Sequence, residues 1–133
     1  MTSKILKVIL FINISLFANN FKSNDLKQMC LGISKHNAIS CNMTSNQDIK
    51  NTCKGIVENS ITCHSIQNKD LKNLCLSKAK GLNDCWNIQD KDLKNSCLGI
   101  TKSSSYCYKI QDENIKHMCL GISESKHYCY DIH

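Results

Sequence analysis

Apolar residues recur along this chain in short sets with helical spacing. Leu93, Cys97 and Ile100 stand at i, i+4 and i+7, which places three side chains on one helix face. The sets Leu26-Cys30-Ile33, Ile49-Cys53-Ile56 and Ile115-Cys119-Ile122 repeat it. A fifth set, Leu71-Cys75, breaks at Lys78, with Ala79 and Leu82 nearby as substitute apolar residues. Just upstream of the five sets stand Ser23, Asn46, Asn68, Asp90 and Asp112, side chains able to accept a hydrogen bond from the free N–H groups of a helix start. The residue two further on (Asp25, Asp48, Asp70, Asp92 and Asn114) falls in the first turn, where the helix dipole favours a negative charge. Five helix starts are predicted.

Each predicted helix runs into a polar loop such as Lys102-Ser103-Ser104-Ser105, then a short segment built on a second cysteine, as in Tyr106-Cys107-Tyr108-Lys109-Ile110. An isoleucine follows that cysteine by three residues in four cases (Ile66, Ile88, Ile110, Ile132), with Thr44 in the first. Tyrosine and isoleucine admit a strand here, but the short repeated length fits a second helix better. The ten cysteines are separated by 11, 12, 10, 12, 10, 12, 10, 12 and 10 residues, a tandem repeat of 22. The expected fold is therefore all-α: five disulfide-stapled helical hairpins, over about 23–45, 46–67, 68–89, 90–111 and 112–133, stacked as a short α-solenoid. Gly32, Gly55, Gly99 and Gly121, two residues after the first cysteine, weaken a helix and read as places of close packing or of an early helix end.

An even number of regularly spaced cysteines in a short exported chain reads as a disulfide framework. Pairing within each unit (Cys30 with Cys41, Cys53 with Cys63, Cys75 with Cys85, Cys97 with Cys107, Cys119 with Cys129) uses all ten. Pairing between neighbours, Cys41 with Cys53 and onward, leaves Cys30 and Cys129 over. The extra residue between Cys30 and Cys41 also falls where a hairpin loop absorbs it cheaply. Within-unit pairing is thus the expected scheme, and a Cys63–Cys75 bridge would contradict it.

Export is read from the N-terminus. Lys4 and Lys7 precede an apolar run from Val8 to Ala18, interrupted only by Asn13 and Ser15, that is too short to span a bilayer. A basic start, a short apolar centre and Ala18 before a polar stretch describe a secretory signal peptide over 1–18, leaving a repeat domain over 19–133 that is periplasmic or secreted and not stably inserted in a membrane. All 17 basic residues are lysine, and without Lys4 and Lys7 the balance is 15 against 11 acids, or +4. Absence of arginine, the residue of bidentate phosphate and guanine recognition, argues against a nucleic-acid partner. Lys27, Lys50, Lys72, Lys94 and Lys116 fill one repeat column and read as a solvated helix face, the other reading being attraction to an anionic polymer or membrane.

Candidate chemistry is sparse. Neither Cys-x-x-Cys nor zinc-finger spacing occurs, and the nearest metal candidate, His117-x-Cys119 with His127-x-Cys129, loses its thiolates if those cysteines are bridged. No catalytic residue, metal or cofactor is assigned. The histidines occupy no repeated column and read as surface variation; Met29 and Met118 read as packing residues. The departure that carries information is aromatic: Tyr106 and Tyr128 precede the second cysteine, and Trp86, Tyr108 and Tyr130 follow it, in the C-terminal units alone. Part of that ridge would shield disulfides and cap the stack, and part would contact a partner. The expected function is a non-enzymatic module that binds a protein partner, in one version an inhibitor or immunity-type protector. The alternative is a thiol-based metal-binding or redox protein of the cell envelope.

Overall fold

The computed structural model describes residues 20–133; the N-terminal segment read as a signal peptide lies outside them. Every unit is a long α-helix followed by a short return. The long helices are Ser23–Lys35, Gln47–Val57, Lys69–Lys80, Lys91–Thr101 and Glu113–Ser123. The return of unit one is a short α-helix, Ala38–Asn42, and the other four are 3-10 helices, Ser60–Ser65, Asp84–Asn87, Ser104–Lys109 and Lys126–Asp131. Helical hairpins are therefore correct, and no strand occurs among the described residues. The extra residue of unit one is taken up in its own return, where His36 adopts a left-handed conformation and Asn37 starts the short helix.

Four of the five expected caps form. Asn46, Asn68, Asp90 and Asp112 accept from the N–H of Ile49, Leu71, Leu93 and Ile115 at 2.9–3.0 Å. Ser23 instead lies inside its helix, and the residue before it, Lys22, makes no side-chain cap. The first-turn acids do more than meet a helix dipole. Asp25 accepts from the N–H of Ser45 and Asn46, Asp48 from Gln67 and Asn68, Asp70 from Gln89 and Asp90, and Asp92 from Gln111 and Asp112. Each carboxylate thus clamps the backbone just ahead of the next helix. Such charge-assisted bonds set the register of one unit on another.

The stack of hairpins closes on itself. Each long helix packs against the long helices of its two neighbours, and the helix of unit one packs against that of unit five just as against that of unit two. Each return packs on its own helix and on the next one around, with the return of unit five lying on the helix of unit one. A single core runs through all five units, built from Leu26, Ile49, Leu71, Leu93 and Ile115 and from Met29, Leu74 and Met118, with the isoleucines of the returns. Thr44, Thr52 and Ser96 are buried at the corresponding positions where the apolar column is broken. Unit three departs most: Ser77 and Lys78 replace Gly and Ile, its helix ends on Gly81 in a left-handed conformation, and Leu82 is left exposed. Ala79, which packs at the edge of the core, compensates for Lys78, while Leu82 does not.

The disulfides follow the ring and overturn the within-unit pairing. Cys41 joins Cys53, Cys63 joins Cys75, Cys85 joins Cys97 and Cys107 joins Cys119, while Cys129 joins Cys30 across the closure. No cysteine is free. The glycine column gives the physical reason. At about 100° per residue, a position two after the first cysteine lies about 200° around the helix, on the opposite flank. The return lays its cysteine on that flank: a Cβ on Gly55 would stand 2.7 Å from Cys63 Sγ, and one on Gly32 would stand 3.0 Å from Cys41 Sγ. The two cysteines of one unit therefore face opposite neighbours. Closing the ring supplies the partner that an open row denies to Cys30 and Cys129.

Candidate functional site

Rigid joints position the surface residues. The residue after each second cysteine sits where one unit meets the next, because its cysteine is bonded to the following helix. At the joint of units four and five, Tyr108 Oη donates to both carboxylate oxygens of Glu124 at 3.2 Å, and Lys116 Nζ lies 5.9 Å from the ring centroid. At the joint of units five and one, Lys35 Nζ donates to Tyr130 Oη at 2.8 Å, and the Lys27 and Lys35 ammonium groups stand 5.9 and 5.3 Å from the ring centroid. At the joint of units two and three, His64 Nε2 is 3.4 Å from Lys80 Nζ. These tyrosines cross the joints by their hydroxyls and leave half of each side chain in solvent.

The aromatic ridge divides in two. Trp86, Tyr108 and Tyr130 are 53%, 54% and 47% exposed, large values for residues of this size on a stapled frame. Tyr106 and Tyr128, on the other side of the cysteine, pack against the core, with Tyr128 stacked on His117 at 6.3 Å between centroids and Lys109 placed 4.8 Å over Tyr106. His117 is thus a half-buried packing partner rather than surface variation, and its Nδ1 makes no hydrogen bond. Since the ring has no open end, the aromatic residues cap nothing. What sequence reasoning missed is the aliphatic counterpart on the first two units, where Ile39 and Ile61 are exposed at the position two before the second cysteine and Met43 lies exposed nearby. Equivalent placement of Ile39 and Ile61 in adjacent units was the available signal.

Electrostatics separates the two exposed tyrosines. Burial and then the Glu124 carboxylate push the Tyr108 hydroxyl above the ordinary tyrosine value, whereas the hydrogen bond and charge of Lys35, with Lys126 and Lys27 behind it, pull Tyr130 below. Elsewhere, burial raises the Asp90 carboxyl, with the charges of Asp92 and Asp70 adding to the effect and the Leu93 N–H opposing it.

Among the described residues no group of three His, Cys, Asp or Glu side chains is arranged to hold a metal ion. The paired motif of the last unit is split between two bridges, Cys119 with Cys107 and Cys129 with Cys30. A shallow cleft of about 350 Å³, lined by Ser77, Lys78, Leu82, Asn83, Thr101 and Lys102, marks the departure of unit three from the repeat. No helix of the described residues is long and apolar enough to cross a membrane. No family model, curated protein or solved structure matches the chain. Its chemistry therefore rests on the ring itself: buried bridges inside, and a rim on which lysine and aromatic side chains meet at the joints.

Proposed function

We propose that this protein is an exported, non-enzymatic binding module that presents the rim of a disulfide-stapled ring to a protein partner, in the manner of an inhibitor or an immunity-type protector. The observation that supports it best is the half-exposure of Trp86, Tyr108 and Tyr130 on a frame in which a disulfide joins every unit to the next. Large aromatic side chains held in a fixed geometry lose little conformational entropy on binding and supply most of the energy at typical protein interfaces. Five disulfides fit an oxidising compartment, periplasmic or extracellular, and the basic, briefly apolar N-terminus supplies the route there. A thiol-based metal or redox role is the weaker reading because all ten sulfurs are engaged in bridges.

The test is capture of the partner from the native envelope or medium on immobilised oxidised protein, comparing the unmodified chain with Trp86→Ala, Tyr108→Ala and Tyr130→Ala. Loss of about 2 kcal/mol or more at one of these positions, with circular dichroism unchanged, is expected of a hot spot. Retention of a specific partner by all three variants would remove the aromatic rim from the explanation. Intact mass of the fractionated protein tests export, the expected species starting near Asn19.

A further inference from the structure

The tandem units compare the chain with itself. Only three columns hold one residue in all five units: the two cysteines, and the lysine three residues before the first of them. The cysteines form the bridges, and columns that tolerate exchange, such as Asp with Asn or Leu with Ile, serve the clamps and the core. Among the described residues, the side chains of Lys50, Lys72 and Lys94 make no hydrogen bond, ion pair or ring contact beyond the backbone bonds of their helices, so the fold leaves these ammonium groups unused at three units. At the other two it lies over the tyrosines, Lys116 on Tyr108 and Lys27 on Tyr130. At these two joints the lysine column and the aromatic column are therefore one surface.

That surface is not uniform around the ring. At Tyr108 the carboxylate of Glu124 answers the local lysine. The Tyr130 position equivalent to Glu124 is Lys35, and three ammonium groups, those of Lys35, Lys126 and Lys27, act on the Tyr130 hydroxyl. Positive charge thus gathers around a half-exposed aromatic ring where the chain closes. We propose that the joint between units five and one is the docking point for an acidic segment of a protein partner, its carboxylates pairing with Lys27, Lys35 and Lys126 and its side-chain stems lying on the Tyr130 ring. This rests on the reading of the rim as a protein-binding surface and adds the chemistry of the partner. Lysine ammonium groups pair with carboxylates as compact point charges, and the Tyr130 ring between them offers an apolar face to the side-chain stems that carry those carboxylates.

The test uses the full oxidised protein and a fluorescein-labelled oligoglutamate peptide, followed by anisotropy at low and physiological salt and by NMR shift mapping. Lys35→Gln and Lys27→Gln should each weaken binding about two- to fivefold, as rim charges do, and Tyr130→Phe, which keeps the ring, should weaken it less. Lys72→Gln, at the joint where His64 stands in place of a tyrosine, should leave it unchanged, and shifts should centre on Tyr130. Equal losses in Lys72→Gln and Lys35→Gln would overturn the proposal in favour of diffuse attraction. Tighter binding of anionic lipid vesicles or of oligothymidine through the same lysines would overturn it in favour of those surfaces. If the lysine variants bind the peptide normally while Trp86→Ala or Tyr108→Ala still loses the captured partner, the acidic-segment proposal fails and the protein-binding reading stands; if capture also persists in all aromatic variants, both fail.

Discussion

Four joints of this ring link cysteines 12 residues apart, and the fifth links cysteines 99 apart, yet the five are nearly the same object in space. Cα atoms of the bridged residues stand 5.4–5.7 Å apart at every joint. Cys30 Sγ lies 3.6 Å from the Met118 carbonyl oxygen, as Cys119 Sγ does from that of Ser96. Chemically the closing joint is ordinary. Topologically it is not, because it alone turns a row of units into a ring, and that difference should dominate stability. A disulfide stabilises chiefly by restricting the unfolded chain, by roughly 3 kcal/mol for a loop of the internal length and about 4–5 for one spanning the domain, in the chain-entropy model. Replacing Cys30 and Cys129 together by Ser should therefore lower unfolding free energy by about 1–2 kcal/mol more than replacing Cys85 and Cys97, since longer loops lose more entropy. Denaturant titration of the two non-reduced double variants decides it. Equal losses would mean that helix packing between units five and one already restrains the ends.

The second way to probe the comparison is to crowd a joint. A Cβ at Gly121 would collide with both sulfurs of the Cys30–Cys129 bridge, and one at Gly32 would stand 2.7 Å from Cys53 Sγ. Alanine at either position gains up to about 1 kcal/mol in helix propensity, but overpacking a buried bridge costs about 1–3. Net destabilisation is expected for Gly121→Ala and Gly32→Ala alike, read from urea midpoints at unchanged slope. Stabilisation at Gly121 alone would show that the closing joint is looser than the rest.

Clamps offer a subtler contrast. The internal joints use Asp, whose carboxylate meets two N–H donors, whereas Asn114 meets the backbone of His133, accepting from its N–H and donating Nδ2–H to its carbonyl oxygen. Each residue suits its own partners. Asp92→Asn should therefore turn a donor toward a donor, and Asn114→Asp an acceptor toward an acceptor, each losing about 1–2 kcal/mol. Their pH dependence should differ. The new carboxyl at position 114, facing a carbonyl, acquires a pKa above its unfolded value of about 4, so stability is greatest in acid and falls as pH rises through that range. Thermal melts from acid to neutral pH check the sign, and a flat profile for Asn114→Asp would show the His133 contact to be unimportant.

Much of this was legible in the chain. Caps, core columns and hairpins follow from local chemistry, and only the first cap fails, where Lys22 rather than Ser23 precedes the helix. Within-unit pairing follows only from an open row, in which it alone uses all ten cysteines; ring closure pairs Cys30 with Cys129 and removes that premise. Two signals point the other way: the spacing of 12 is constant across the four bridged pairs of adjacent units while the spacing within units varies, and Gly at the second position after a cysteine marks the opposite flank of the helix. Ring closure itself depends on the angle between successive units, which accumulates from packing and has no signature in any single repeat. The binding surface was half legible for a similar reason. Tyr106 and Tyr128 look like Tyr108 and Tyr130 in sequence, and only the seating of the cysteine between them decides which side faces the core.

The smallest expected effect is a titration that sets one joint against its neighbour. Tyr108 and Tyr130 are exposed to similar extents and occupy equivalent positions, but one hydroxyl donates to Glu124 and the other accepts from Lys35. Tyr130 should ionise first as pH rises toward the ordinary value of 10.0, and Tyr108 only above it. For Tyr130 the folded value is depressed, so its contribution to stability is present above the unfolded pKa and lost as pH falls through the folded one. For Tyr108 the sign reverses, with its contribution present below the unfolded pKa and lost as pH rises through the folded one. Site-resolved NMR of the tyrosine rings measures both. Glu124→Gln should bring Tyr108 down and Lys35→Gln should bring Tyr130 up, so that the two curves converge. Curves that coincide in the unmodified protein would show that solvent screens both contacts, and would weaken the case that charge distinguishes the closing joint from the joint beside it.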